Sequence, residues 1–144
     1  MIRQMAAIAA ALTILCQAND LEGIKAEPNL EKRSDRALEY ANRAISEARQ
    51  AYVAGDLNKT RQALDEVRAA VELSYDSLEA TGKNPRRSPK HFKRAEVDIR
   101  QMLRRLRGIE DEFSVDDRGL VQNVEQRLQE IHDELLSSIM TKKK

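Results

Sequence analysis

Apolar residues recur every three or four positions through most of the chain, the spacing of one face of an α-helix. From residue 30 onward, turn residues interrupt this pattern three times, so it predicts four helices near 30–54, 56–80, 89–113 and 116–140. A helix of about 25 residues is about 37 Å long at 1.5 Å per residue. Helices of matched length joined by short links favour an all-α antiparallel four-helix bundle, with two stacked helical hairpins as the main variant.

The apolar positions also predict the core. The first helix contributes Leu38, Ala41, Ile45, Ala48 and Tyr52, flanked by Ala37, Ala44 and Ala51, and the second contributes Leu57, Thr60, Leu64, Val67, Val71 and Leu78, flanked by Ala63 and Ala70. The third contributes Phe92, Ala95, Ile99, Met102, Leu103, Leu106, Ile109 and Phe113, and the fourth Val121, Val124, Leu128, Ile131 and Leu135. Because alanines beside larger aliphatic residues let helix backbones approach closely, we expect the first two helices to pair.

The three corners carry recognisable turn chemistry. Gly55 suits a helix C-terminus, and Asp56 suits the N-cap of the next helix. Ser88 before Pro89 predicts an N-cap and first turn for the third helix, and Ser114 and Asp117 have a capping-box-like spacing before the fourth. We therefore expect a four-helix domain over 30–140, preceded by a flexible arm over 19–29 and followed by a basic tail over 141–144.

The first eighteen residues, MIRQMAAIAAALTILCQA, have one charge at Arg3 followed by an apolar run that ends in small or polar residues. This pattern predicts a signal peptide cleaved after Ala18 and an exported protein, periplasmic or secreted, because the run is too short to span a bilayer. Lipidation of Cys16 is the alternative. The bacterial lipobox asks for a small residue directly before the cysteine, and Leu15 stands there, so cleavage after Ala18 is favoured.

Composition narrows the classes of protein and site. A chain of 144 residues with 34% charged and 3% aromatic residues fits one soluble domain and disfavours a β-sandwich. Cys16 is the one cysteine, so the predicted mature chain has no disulfide, thiol nucleophile or thiolate metal site. Its formal charge is 0, since removal of Arg3 takes one charge from +1.

The sequence offers little catalytic or cofactor chemistry. His91 and His132 are its two histidines, and neither follows a glutamate at the Glu-x-x-His spacing of di-iron bundles. No serine lies in a Gly-x-Ser-x-Gly turn. We therefore expect neither an enzyme nor a metal or cofactor protein. The alternative is a periplasmic ligand- or haem-carrying bundle, since four-helix b-type cytochromes have a similar size and export route; His132 alone matches their ligands.

The basic run NPRRSPKHFKRAEVDIRQMLRRLRG is the most unusual feature. Residues 83–107 hold ten Lys or Arg against two acids, and residues 110–134 hold nine acids against two arginines. One interpretation is that the third and fourth helices complement each other. However, if Phe92 faces the core, Lys93, Arg100, Arg104 and Arg107 should face solvent, too far from the fourth helix to pair.

A second interpretation is an anionic partner, because cations in a first helical turn oppose the helix dipole unless an anion joins them. The predicted binding surface then comprises Arg86, Arg87, Lys90, His91, Lys93, Arg94, Arg100, Arg104 and Arg107. An anionic envelope component or an acidic protein fits it better than nucleic acid, since no aromatic residues interleave with the cations. The expected function is a non-enzymatic interaction module of the cell envelope.

Residues 51–73, AYVAGDLNKTRQALDEVRAAVEL, loosely resemble a tetratricopeptide-type hairpin, with an aromatic, a Gly-Asp turn and alanines at close-packing sites of the second helix. The whole chain also resembles uncharacterised exported bacterial proteins with an SPKHFKRAE turn and a closing SVDDR corner. The first resemblance implies a helical hairpin at this position, and the second implies export without indicating an activity.

Overall fold

The four long helices form where the apolar periodicity places them. The computed structural model describes residues 20–141, which form α1 (Leu21–Lys25), α2 (Leu30–Val53), α3 (Leu57–Ala80), α4 (Lys90–Glu112) and α5 (Arg118–Met140), with no strand in that range. The predicted all-α fold is thus confirmed. None of these helices is long and apolar enough to cross a membrane. The predicted signal peptide, Cys16 and the lysines of the basic tail lie outside the described residues.

The helices associate as two antiparallel hairpins. The α2–α3 hairpin is closely packed, and the buried hydroxyls of Ser34 and Ser74 lie 2.7 Å apart across it. In the α4–α5 hairpin, Nε2 of His132 lies 2.8 Å from Oε1 of Glu96. The two helices of each hairpin are therefore neighbours in sequence and in space, whereas α3 and α4, which the middle loop joins, pack little on each other.

The hairpins then stack with α2 beside α4 and α3 beside α5. Arg94 contacts Asp35 near the starts of α4 and α2, and Arg49 contacts Glu112 near their ends, so these two helices run in the same direction. The bundle is therefore the stacked-hairpin variant, in which antiparallel contacts lie within each hairpin and parallel contacts lie between hairpins.

The predicted core is buried along all four long helices. Ala41, Ala48 and Ala70 are fully enclosed where α2 meets α3, as expected for helices that approach closely through small side chains. Tyr52 and Leu57 are only half-buried, because they lie where α2 ends and α3 begins. The ring of Tyr52 still packs on the core by stacking on Phe113 with centroids 3.6 Å apart.

The corner between α2 and α3 follows its sequence signals. Gly55 adopts φ 79°, one residue beyond the C-cap Ala54, and its N–H donates to Tyr52 O. Asp56 N–H donates to Ala51 O, which completes a Schellman-type ending. The carboxylate of Asp56 then accepts a 3.0 Å hydrogen bond from Lys59 N–H, as the N-cap of α3.

The other two corners differ from prediction. Ser88 does not cap α4: Pro89 is the N-cap residue, and no side chain caps that end. The side chain of Asn84 orders the turn instead, by accepting from Arg86 N–H at 2.9 Å. At the last corner, Asp117 makes no capping bond, because its carboxylate accepts from the hydroxyls of Tyr52 and Ser114, both at 3.0 Å.

The described part of the predicted flexible arm is also partly ordered. Asp20 caps α1 by accepting from Gly23 N–H at 2.8 Å, and Ile24 is 1% exposed. Burial of this large aliphatic side chain explains why the segment packs on the bundle. The sequence did not predict the contact, because the segment has no long periodic pattern of apolar residues.

Candidate binding surface and adjoining cleft

Several predicted binding residues are matched by carboxylates of their own chain. Nε2 of His91 lies 3.2 Å from Glu31, and its Nδ1 lies 3.5 Å from Asp35. Arg94 lies 3.0 Å from Asp35. These acids belong to the first two turns of α2, which runs beside α4 in the same direction. The charge partners of this end of α4 are therefore on α2, and not on α5 as the sequence interpretation of complementary third and fourth helices supposed.

The carboxylates of Glu31 and Asp35 also affect the charge balance of the first turn of α4, which contains no acidic residue of its own. Glu31 accepts a hydrogen bond from Lys83 of the preceding loop, and this bond, with the charges of His91 and Lys90, keeps the pKa of Glu31 below its ordinary value. The cations at the positive end of the α4 dipole thus have an intramolecular anion beside them. The carboxylate of Glu31 therefore offsets part of the positive charge for which the sequence analysis predicted an anionic ligand.

Two further predicted residues contact neighbouring side chains. Arg100 lies 3.5 Å from Glu96 one turn earlier. Arg107 donates a 3.4 Å hydrogen bond to Gln129 of α5, so the expectation that Arg107 is too distant from the last helix is wrong. An arginine beside a core position has a side chain long enough to reach along the interface with the next helix.

The other predicted residues make no ion pair within the described chain. We call these exposed residues the unpaired basic group; they are Arg86, Arg87, Lys90, Lys93 and Arg104. Arg86 and Arg87 lie in the turn before α4, and Lys90 and Lys93 lie in its first turn. Four of the five therefore gather at one end of the bundle, and Arg104 lies apart from them on the same helix.

A cleft of about 1180 Å³ opens beside Arg86 and Arg87. It lies between the end of α3, the loop between α3 and α4, and the end of α5, and we call it the loop cleft. Glu79 of α3 and Asp133 and Glu134 of α5 also line it. Sequence reasoning missed these acids because they come from two helices that only the stacking of the hairpins brings to one end.

The loop cleft has an aromatic surface between its charges. Tyr75 is half-buried there, beside the buried Phe92. Burial, followed by hydrogen bonding to Glu134 and the charge of Glu79, raises the pKa of Tyr75 above its ordinary value. The hydroxyl of Tyr75 is thus a neutral donor towards the acidic wall, and the ring offers an apolar contact at the centre.

The last hairpin holds two other titratable pairs. His132 is 9% exposed, and Nε2 of its ring, which a haem iron would need, lies 2.8 Å from Glu96. Glu110 and Glu125 meet at the α4–α5 interface, where burial, and then the charge and hydrogen bonding of Glu110, raise the pKa of Glu125 to about 7. Within residues 20–141, no three His, Cys, Asp or Glu side chains are arranged to hold a metal ion.

No family model, curated protein or solved structure matches this chain. The resemblances to tetratricopeptide hairpins and to exported helical proteins therefore stay predictions. Functional inference depends on the geometry of the described residues.

Proposed function

We propose that this chain is a non-enzymatic, exported interaction module that binds an anionic partner through the unpaired basic group. The observation that carries the proposal is the contrast within one basic run. His91 and Arg94 are matched by acids of α2, whereas Arg86 and Arg87, a few residues earlier, are exposed and have no acidic partner in the described chain.

This contrast narrows the predicted surface. Cations that are already matched gain less from an external anion, because binding must compete with the existing pair. Cations without a partner are available to a new one, and arginine in particular presents a planar fork of donors that matches carboxylate and phosphate groups. The binding surface is therefore centred on the turn before α4, and less on the length of the helix.

A pair of matched variants tests the proposal. Arg86→Gln/Arg87→Gln removes two positive charges from the turn. Lys59→Gln/Arg61→Gln removes two exposed cations that form no ion pair within residues 20–141, from the start of α3 at the opposite end of the bundle. Retention of each variant on phosphocellulose is measured at rising salt. We expect the first variant to elute at lower salt than the native chain and the second to elute with it, since exposed charges are screened over about 8 Å at physiological ionic strength.

Equal losses from the two variants would show that the resin reports net charge, and would refute a localised surface. Circular dichroism of both variants checks that the helices are intact. Export is tested separately: mass spectrometry of the protein from its own host should find an N-terminus near Asn19, and a soluble protein that retains residues 1–18 would refute cleavage.

A further inference from the structure

The loop cleft contains opposite charges that do not neutralise one another. Glu79 and Glu134 are exposed and form no ion pair in the described chain, whereas Asp133 accepts a 2.8 Å hydrogen bond from Gln129 and lies 3.6 Å from Nδ1 of His132. Arg86 and Arg87, across the same cleft, are likewise without an acidic partner. Two arginines and two glutamates therefore line one cleft without pairing with each other.

We infer that the loop cleft binds a short peptide with free termini, its carboxylate on Arg86 and Arg87 and its ammonium group on Glu79 and Glu134. This inference rests on the proposed function for its arginine half, since the peptide carboxylate is then one form of the anionic partner. The acidic wall adds a second requirement, a cation on the same ligand, which the proposed function does not include.

The chemistry of each wall suits one peptide terminus. Arginine forks bind planar carboxylates through parallel hydrogen bonds. An ammonium group has three donors and no acceptor, so a wall of carboxylates complements it. Between the walls, the Tyr75 ring offers an apolar contact for a central side chain.

The size of the loop cleft indicates the length of the peptide. Its volume of about 1180 Å³ exceeds that of most small-molecule sites, which are about 300–1,000 Å³. A cleft of that volume has room for a ligand of a few residues, and three extended residues span roughly 10 Å at about 3.3–3.6 Å each.

The experiment titrates the purified protein with four forms of Ala-Leu-Ala, observed by NMR at the amides of residues 79–84, 86–87 and 133–138. The forms are the free peptide, the N-acetylated peptide, the C-amidated peptide and the peptide blocked at both ends. We expect the free peptide to bind most tightly. Each single block should weaken binding threefold to tenfold, and the double block should weaken it further.

Two variants assign the termini to their walls. Arg86→Gln/Arg87→Gln should bind the free and C-amidated peptides equally, because the carboxylate has lost its partner. Glu79→Gln/Glu134→Gln should bind the free and N-acetylated peptides equally, because the ammonium group has lost its partner. Lys59→Gln/Arg61→Gln should retain the native order of affinities, as a control for net charge.

The inference is overturned if the free peptide shifts no amide of the loop cleft, or if the doubly blocked peptide binds as tightly as the free one. Failure of the proposed function gives a different result. If Glu79→Gln/Glu134→Gln leaves every peptide affinity unchanged while Arg86→Gln/Arg87→Gln loses retention on phosphocellulose, the anionic partner stands and the peptide ligand does not. If phosphocellulose retention survives the arginine change, the proposed function fails on its own test.

Discussion

Replacing Glu125 by glutamine tests whether the carboxylate pair between α4 and α5 makes stability depend on pH. Oε1 of Glu125 is shielded from solvent and has no hydrogen-bond partner, while Oε1 of Glu110 accepts a 2.7 Å bond from Gln122. Burial, then Glu110 and more weakly Asp111, raise the pKa of Glu125 to about 7, although the charge of Arg107 lowers it. Glutamine keeps the size of the side chain and removes the ionisation.

The expected magnitude follows from that pKa. A rise from 4.5 to about 7 corresponds to roughly 3 kcal/mol, at about 1.4 kcal/mol for each tenfold change in proton affinity. Because Glu125 is only half-buried, solvent screening reduces this to about 1–2 kcal/mol. Between pH 4.5 and 7 the folded chain holds a proton that the unfolded chain has released. The free energy of unfolding therefore falls as pH rises through this window and levels off above it.

The assay is urea or thermal unfolding of the native chain and Glu125→Gln between pH 4.5 and 8.5. At pH 8 the variant should be more stable by about 1–2 kcal/mol, a rise of roughly 3–6 °C in Tm. Its stability should also vary less with pH between 4.5 and 7. Asp65→Asn, which removes an exposed acid from α3, is the control and should follow the native profile. Parallel profiles for the native chain and Glu125→Gln would refute the assigned ionisation.

Four other variants test the fold, each by urea unfolding. Leu128→Ala should cost about 2–5 kcal/mol, because the side chain is fully buried; a cost below 1 kcal/mol would mean that α5 does not pack as described. Asp56→Ala should cost about 1 kcal/mol through loss of the N-cap bond, whereas Ser88→Ala should change stability by less than about 0.5 kcal/mol, since Ser88 caps nothing; equal costs would contradict these cap assignments. Ser34→Ala should cost about 1–3 kcal/mol by leaving the buried Ser74 hydroxyl without its partner; no loss would indicate that Ser74 finds another acceptor.

The sequence predicted the helices well because apolar periodicity is a local property. Every core residue predicted for the third long helix, from Phe92 to Phe113 just beyond the end of α4, is buried, and the Gly55–Asp56 corner forms as its residues indicated. Ser88 failed as a cap although it has a suitable side chain. Asn84 already orders that turn, and a single-position signal does not show which of several polar side chains will make the bond.

Only the basic side of the candidate site could be predicted from the sequence. Arg86 and Arg87 stood out because they add positive charge just before the first turn of the third helix, where the helix dipole disfavours cations. Glu79 and Glu134 are 55 positions apart in sequence and come together only when α3 packs beside α5. Periodicity shows which face of a helix is apolar, but it does not show which of the other helices covers that face. The partners of His91 and Arg94 were missed for the same reason, since they depend on α2 lying beside α4.

Attraction between opposite charges is therefore not the main interaction between α4 and α5. The sequence places a basic third helix beside an acidic fourth one, yet two acids, Glu110 and Glu125, meet at their interface, where burial and then Glu110 raise the pKa of Glu125. An exposed ion pair contributes about 0–1 kcal/mol, whereas full burial of one side chain such as Met102, Leu106 or Leu128 contributes about 1.5–3 kcal/mol. The apolar seam accordingly determines that α4 pairs with α5. At one end of this hairpin, the pair of Glu110 and Glu125 makes stability depend on pH. At the other end, the charged residues of the loop cleft remain available for a ligand.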